Sequence, residues 1–288
     1  MIWYTYLYNK GLHMKIDYLS DLHLDFYFNP TIAISTKNVK LFFDDIFGTS
    51  SSNILIIAGD IGHYNLQNIE VLKILHKEYY KNIICVLGNH DYYLLNSDSK
   101  KEYKNNSYNR VEQMRTLINK EDGLHCLNGD IIEIDGVKFA GCDSWYSDAY
   151  MKYYYPKRNE KFILKLWKHS LNDYQNTQNI ENFLDLYNDE MRKLEKIYKK
   201  CDVMITHINP SYLEEHIVKR YHGSDINTFF TFDGHKYLKN GTMKYWVFGH
   251  THDVVKYDFE GVQCVCNPFG YPSESNYGEY IEVESIEV

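Results

Sequence analysis

An α/β fold organised around a largely parallel sheet is what this chain predicts, on three observations. Short apolar runs of strand length alternate with helix-period segments through the first half. Residues 66–79, between two such runs, are long enough for a helix, which makes the joined strands parallel and the crossover right-handed. Five of the runs break off into Asp, His or Asn residues, at the carboxyl ends where open α/β sheets form their ligand crevice.

The elements follow in order. Lys15–Leu19, Ile54–Ala58 and Ile83–Leu87 read as buried strands, each ending in polar residues or glycine. Leu66–Tyr79 places Leu66, Ile69, Val71, Leu72 and Leu75 at helical spacing. The Asn-, Ser- and Lys-rich stretch Asn96–Asn109 reads as a mobile loop, and Val111–Asn119 as a further helix. Ile131–Ile134 and Val137–Cys142 flank Asp135-Gly136, a two-residue hairpin signal. From about 145 to 200 the pattern changes. Ile180, Phe183, Leu184, Tyr187, Met191, Leu194 and Tyr198 mark one helix face, with Glu181 near its start and Lys196, Lys199 and Lys200 near its end, as the macrodipole prefers. This segment is expected to be a helical insertion packed over the sheet edges. Val203–Thr206, Tyr245–Phe248, Val254–Phe259 and Val262–Cys266 complete the strands, the last two joined at Glu260-Gly261.

Composition narrows the class. With 288 residues, 44% hydrophobic and 24% charged, the chain has the make-up of an average globular protein, which excludes disordered, collagen-like and mucin-like readings. The 28 Tyr against 14 Phe fit a coding bias and ordinary core packing better than an aromatic cleft. With 31 basic and 39 acidic residues the net charge is −8, which argues against a stable partnership with long nucleic acid but not against a small phosphorylated substrate. The six cysteines are scattered with no CxxC pair, as in a reduced, cytoplasmic protein. No apolar stretch reaches the 18 or so residues of a membrane span. Residues 1–13 lack the basic start and cleavage site of a signal peptide and are assigned no role; residues 14–288 are expected to form a single domain.

The chemistry lies at the strand ends: Asp21-Leu22-His23, Gly59-Asp60, Gly88-Asn89-His90-Asp91, Thr206-His207 and Gly249-His250-Thr251-His252. Carboxylates, imidazoles and one amide, without thiolate, form a donor set for Mn, Fe or Zn rather than for a structural zinc site. One intervening residue sends the side chains of Asp21 and His23, and of His250 and His252, the same way from extended backbone. Glycine before Asp60, Asn89 and His250 permits a sharp turn and close approach to metal or phosphate.

Over roughly residues 14–285 the chain resembles the calcineurin-like metallophosphoesterases, whose pattern is D-x-H, G-D, G-N-H-[DE], H and G-H-x-H, with every ligand position filled here. The resemblance implies a four-layer αββα sandwich with a dinuclear site at the strand ends. Asp21, His23, Asp60 and His252 would hold one metal, and Asp60, Asn89, His207 and His250 the other, with Asp60 bridging. The ions would be divalent or trivalent, manganese first, with iron, zinc or nickel as alternatives. His90 would stand beside the phosphate as general acid, oriented by Asp91. Two cations about 3.5–4 Å apart can share a hydroxide as nucleophile and grip the phosphoryl oxygens, and a histidine outside the ligand set can protonate the leaving oxygen.

The expected activity is hydrolysis of phosphomonoesters or phosphodiesters of nucleotides or other small molecules. A single-strand nuclease and a catalytically silent scaffold are the alternatives. Gly59-Asp60-Ile61-Gly62-His63-Tyr64 lacks the arginines that family protein phosphatases carry there, which disfavours phosphoprotein substrates. The run Cys266–Tyr271 is similar to a loop of small bacterial and phage-type members. His63 either lines the cleft or caps a helix. Lys219-Arg220-Tyr221-His222 either binds phosphate or is a solvated loop. Trp145 and Tyr146 either stack a base or pack in the core.

Overall fold

Two sheets lie face to face in the computed structural model, which describes residues 14–274 and 281–288; the extension at 1–13 lies outside the described residues. In the first sheet β1 (Lys15–Leu19), β2 (Ile54–Ala58), β3 (Asn82–Val86) and β4 (Leu124–Cys126) run parallel in that order. The second holds β5 (Asp130–Ile134), β6 (Val137–Gly141), β7 (Val203–Ile205), β8 (Tyr245–Phe248), β9 (Val255–Phe259) and β10 (Val262–Cys266), in the order β5-β6-β7-β8-β10-β9. Its centre is parallel and each edge is a hairpin. A final strand, β11 (Glu284–Glu287), pairs antiparallel with β1 and closes one edge of the first sheet.

Alternation along β2 explains why it reads as an unbroken apolar run. Ile54, Ile56 and Ala58 face the second sheet and meet Phe139, Ile205 and Val247, while Leu55 and Ile57 face the helices. A strand buried on both faces has no polar side to present. Over the first sheet lie α1 (Thr36–Phe47), α2 (Asn65–Glu78), α3 (Ser97–Glu102) and α4 (Ser107–Asn119). Val39, Phe43, Leu72, Leu75, Val111 and Met114 are buried there. Over the second sheet comes the insertion: α5 (Ala149–Tyr154), α6 (Glu160–Ser170), α7 (Asn172–Asn176) and α8 (Phe183–Ile197), the last lying against β5 and β6. A short α9 (His235–Asn240) precedes β8. The layers are therefore helix, sheet, sheet, helix, the expected αββα sandwich.

Both hairpins form where the dipeptides place them. Asp135 and Gly136 have φ of 49° and 88°, and Glu260 and Gly261 of 51° and 95°, the pair of positive values a type I′ turn requires. Asn96–Asn109 is a correction: most of it is helical, α3 and the start of α4, with only the turn at 103–106 left between them. Asn96 Oδ1 accepts from Ser99 N at 2.9 Å and Asn106 Oδ1 from Tyr108 N at 3.0 Å, so the residues read as loop formers are N-caps. No helix among the described residues is long and apolar enough to cross a membrane.

Candidate metal centre

The five strand-end motifs converge on one rim, and the backbone there is held away from its relaxed conformations. Asp21, His23, Asp60, His250 and His252 all lie in the left-handed region, with φ of 54°, 43°, 54°, 69° and 50°. Such residues cost about 1–3 kcal/mol each and persist only where surrounding bonds over-determine them. Those bonds are present. His23 N donates to Asp60 O at 3.0 Å, His250 N to both Asp21 carboxylate oxygens at 3.0 Å, and His90 N to Asp60 Oδ1 at 2.8 Å. Gly59 is itself left-handed at φ 88°, and a Cβ on it would collide with the His207 ring. Gly88 is extended, yet a Cβ there would strike the Asp60 carboxylate.

Eight polar side chains meet within this frame. Asp21, His23 and His252 form one group, Asp60, His207 and His250 a second, and His23, Asp60 and His90 a third that overlaps both, the donor atoms of each lying within 4.8 Å of one another. His23 Nε2 links them, 3.1 Å from His252 Nε2 and 3.8 Å from Asp60 Oδ2. Asn89 Oδ1 stands 3.0 Å from His207 Nε2.

The far nitrogens of three imidazoles are already committed: His207 Nδ1 to Ala58 O at 2.8 Å, His250 Nε2 to Phe229 O at 3.0 Å, and His252 Nδ1 to Glu274 Oε2 at 2.8 Å. Each of these acceptors orients its ring and leaves the other nitrogen to face the centre, as for metal-ligating histidines. With Nδ1 donating, neutral His207 would turn a bare Nε2 toward the acceptor Asn89 Oδ1. That contact is satisfied by a proton on Nε2 or by a cation between the two atoms. Asp60 Oδ2 is buried and makes no hydrogen bond, although His207 Nε2 is 3.4 Å away. An orphaned carboxylate oxygen beside convergent lone pairs is an environment that fits divalent cations.

Electrostatics divide these groups when no cation is present. Burial would raise the Asp60 pKa, but His207, His90 and His23 outweigh it and hold the carboxyl well below its usual range. Burial alone would lower His207, yet Asp60 and Asp21 carry it up to about 10. Burial dominates at His23 and His250 and pushes both down to about 3, so these rings are neutral and can act as ligands.

His90 and Asp91 part company. Asp91 turns inward, where its carboxylate accepts from Gly88 N at 2.8 Å, with Ile61 N and Gly62 N at 3.4 and 3.5 Å. It therefore clamps the turn and does not orient the His90 ring, which corrects the expected dyad. His90 Nδ1 instead lies 3.0 Å from His63 Nε2, and His63 Nδ1 lies 2.7 Å from Asp25 Oδ2. His90 Nε2 looks toward the Tyr271 hydroxyl at 3.5 Å. His63 thus lines the cleft. Arg110, buried on α4, donates to His90 O at 2.7 Å, Tyr93 O at 3.1 Å and Gly62 O at 2.6 Å, pinning both turns that carry these histidines.

Trp145 and Tyr146 are 1% and 0% exposed, so neither offers a face for a base, and core packing is their role. In the run 219–222, Arg220 pairs with Asp253 at 2.6 Å on the surface. Beside His63, which the sequence offers as a cleft residue, three side chains at the site escape a motif search: Asp25, Arg110 and Asp173. Asp25 and His63 each sit two or three residues past a recognised ligand, which was a signal; Arg110 and Asp173 come from helices with none.

Comparison with known proteins places the chain among others of this architecture. A family model described as calcineurin-like phosphoesterase matches residues 14–254. An uncharacterized protein, L509, of Acanthamoeba polyphaga mimivirus is 26% identical over 292 residues, covering 93% of this chain and 96% of the viral protein. Among solved structures, the phosphopantetheinyl hydrolase PptH of Mycobacterium tuberculosis superposes with a TM-score of 0.63 at 16% identity over 96% of both chains, a likeness of fold.

Proposed function

The chain belongs to the calcineurin-like phosphoesterase family and is a metal-dependent phosphoesterase, and from that premise we propose that it hydrolyses small phosphorylated molecules, mono- or diesters of nucleotides or similar compounds, with His90 as proton donor. The observation that carries this reading is the convergence of two ligand groups on Asp60, whose Oδ2 lies 3.8 Å from His23 Nε2 of one and 3.4 Å from His207 Nε2 of the other, with three imidazoles already oriented from behind. Asp21, His23, Asp60 and His252 would hold one cation, and Asp60, Asn89, His207 and His250 the other. Bound there, two divalent cations, manganese first, supply charge for the phosphoryl oxygens and lower the pKa of a water molecule.

The chain's own residues do the rest. His63 Nδ1 donates to the Asp25 carboxylate, so its Nε2 accepts from His90 Nδ1–H. Burial would raise Asp25, but its hydrogen bonds and charge interaction with His63 bring it below the usual range, which keeps it an anion. This leaves His90 Nε2 on the cleft side; burial holds the ring well below its usual pKa, so the proton it passes to the leaving oxygen is one that Nε2 first takes up, which the negative charge of a bound phosphate favours. Arg110 keeps the turn that carries His90 from shifting as it does so.

An apolar cavity of about 160 Å³, lined in part by Val218, Tyr221, Phe230, Thr251 and Val255, adjoins the centre; Phe230 packs on His250 with ring centroids 4.8 Å apart. It supports a small substrate with a non-polar part rather than a stable nucleic-acid partner. The six buried free thiols support a reducing, cytoplasmic setting. The test is a screen with Mn, Ni, Zn and Mg in turn, on aryl phosphate mono- and diesters, cyclic and linear nucleotides, and single-stranded nucleic acid. Metal-dependent turnover of the small esters is expected. Preference for the polymer would make the protein a nuclease, and no turnover with two metals bound would make it a silent scaffold.

A further inference from the structure

Asn89 is the only amide proposed as a ligand, and it must present its oxygen, not its nitrogen. Nothing in an amide's shape decides which end faces a cation; a hydrogen-bond partner must. That partner is Asp173, on α7 in the middle of the insertion. Asn89 Nδ2 donates to Asp173 Oδ1 at 2.7 Å, which leaves Asn89 Oδ1 facing His207 Nε2 at 3.0 Å. A carboxylate accepts and cannot donate, so it tolerates only this orientation of the amide.

Asp173 is itself fixed on several sides. It is 1% exposed. Tyr93 OH donates to its Oδ1, and Tyr146 OH to its Oδ2 at 2.5 Å. Trp167 Nε1 on α6 donates in turn to the Tyr146 hydroxyl at 2.5 Å. Thr177 closes the turn from below, its backbone N and hydroxyl donating to Asp173 O at 2.9 and 2.6 Å. Three residues of the insertion, Tyr146, Trp167 and Asp173, thus form a hydrogen-bonded wall whose inner end touches Asn89.

We propose that Asp173 is a positioning residue for the metal centre: it holds Asn89 with its oxygen toward the cation shared with Asp60, His207 and His250. The insertion therefore completes the metal site from behind. This rests on the ligand assignment above. Partners behind metal ligands change affinity by about 10–100-fold when removed.

The test measures Mn²⁺ stoichiometry and affinity by calorimetry, without substrate, on full-length variants. Asp173→Ala should weaken one of two Mn²⁺ sites about 10–100-fold and leave the other unchanged. Asn89→Ala should weaken the same site. Asn89→Asp alone should bind poorly, because two carboxylates would be apposed in a buried place. Combining it with Asp173→Asn exchanges donor and acceptor at constant charge and should restore the site. That rescue keeps the proposal falsifiable if Asp173→Ala does not fold. Wild-type Mn²⁺ binding by Asp173→Ala, or failure of the folded exchange variant to recover, would overturn the proposal while Asn89→Ala still loses a site. Two intact sites in Asn89→Ala would overturn the ligand assignment instead.

Discussion

Asn89 and His90 are neighbours on one short turn, yet different parts of the molecule hold them. His90 is met by His63 and Asp25, which follow β2 and β1 and belong to the same crowded rim. Asn89 is met by Asp173, more than eighty residues further on and on the opposite helical layer. The first brace is built from imidazole and carboxylate in a part-buried chain that ends at the cleft. The second is a dry wall of tyrosine, tryptophan and carboxylate that ends in the core. The difference teaches that a group meant to move a proton and a group meant to stay still are supported differently. One keeps a path through ionisable partners; the other is locked by acceptors that allow a single orientation.

The largest break in this comparison is made upstream of both braces. Asp60 supports the turn through Oδ1, which accepts from His90 N at 2.8 Å, and its Oδ2 lies 3.8 Å from His23 Nε2 and 3.4 Å from His207 Nε2, one in each ligand group. Asp60→Asn should abolish turnover and lose much of the bound metal, with no rescue by excess Mn²⁺. Metal analysis alongside kinetics checks this. Two metals per chain with near-native turnover would remove Asp60 from its bridging position.

Next in size comes His90→Asn, which should separate chemistry from binding. Both metals should remain, because the neighbouring Asn89 is untouched. For esters with poor leaving groups kcat/KM should fall about 10²–10⁴-fold, equivalent to about 3–5 kcal/mol of transition-state stabilisation. An activated aryl ester, whose leaving group scarcely needs a proton, should suffer much less. Parallel dependences on leaving-group pKa in wild type and variant would mean that His90 is not the donor.

His63→Ala and Asp25→Ala sharpen the contrast with the Asn89 brace. A hydrogen bond to a charged group contributes about 1.5–3 kcal/mol, so each should cost about 10–100-fold on the same poor leaving groups. The selectivity for leaving group should shift in the direction seen for His90→Asn. Asp173 variants, by contrast, act on metal affinity. If removing His63 instead lowered metal content and left the leaving-group dependence unchanged, the two braces would not differ in kind.

What was legible in the sequence follows the same division. Strand ends are readable because an apolar run, a glycine and a polar motif are contiguous, and Asp21, His23, Asp60, Asn89, His207, His250 and His252 all reach one rim, although Asp21, His23, His250 and His252 do so from left-handed backbone and not from the extended backbone expected of their spacing. The hairpins at Asp135-Gly136 and Glu260-Gly261 were equally local. The Asp91 role implied by the resemblance does not hold, because the turn points consecutive side chains in different directions and delivers Asp91 to backbone amides. α1 was overlooked although Val39, Phe43 and Phe47 recur at helical spacing behind the Ser35 cap. Asp173 could not be read at all. Nothing in Asn172–Asn176 distinguishes a buried brace from a polar turn until α6 and α8 are packed on the second sheet and Tyr146 and Trp167 are brought to it.

The smallest expected effect tests how deep that wall must be. Tyr146→Phe removes one donor to Asp173 and leaves Trp167 Nε1 without an acceptor, but Asn89 and Tyr93 still donate to the same carboxylate. A buried donor left unsatisfied costs about 1–3 kcal/mol. For a chain of this size that is a fall in Tm of about 2–12 °C, taking about 2–4 °C per kcal/mol. Asp173 Oδ1, the oxygen that meets Asn89, is not the one Tyr146 touches, so Mn²⁺ affinity and kcat should stay within about threefold of wild type, less than one hydrogen bond is worth. Trp145 and Tyr146 lie in the core, so preference among substrates should not change either. Thermal melts and metal titrations on the same preparation separate the two readouts. A melt that does not move would mean the hydroxyl contributes nothing to the wall. A loss of metal as large as that of Asp173→Ala would mean that Asp173 holds Asn89 only through its tyrosine partner, and that the brace begins one residue further out.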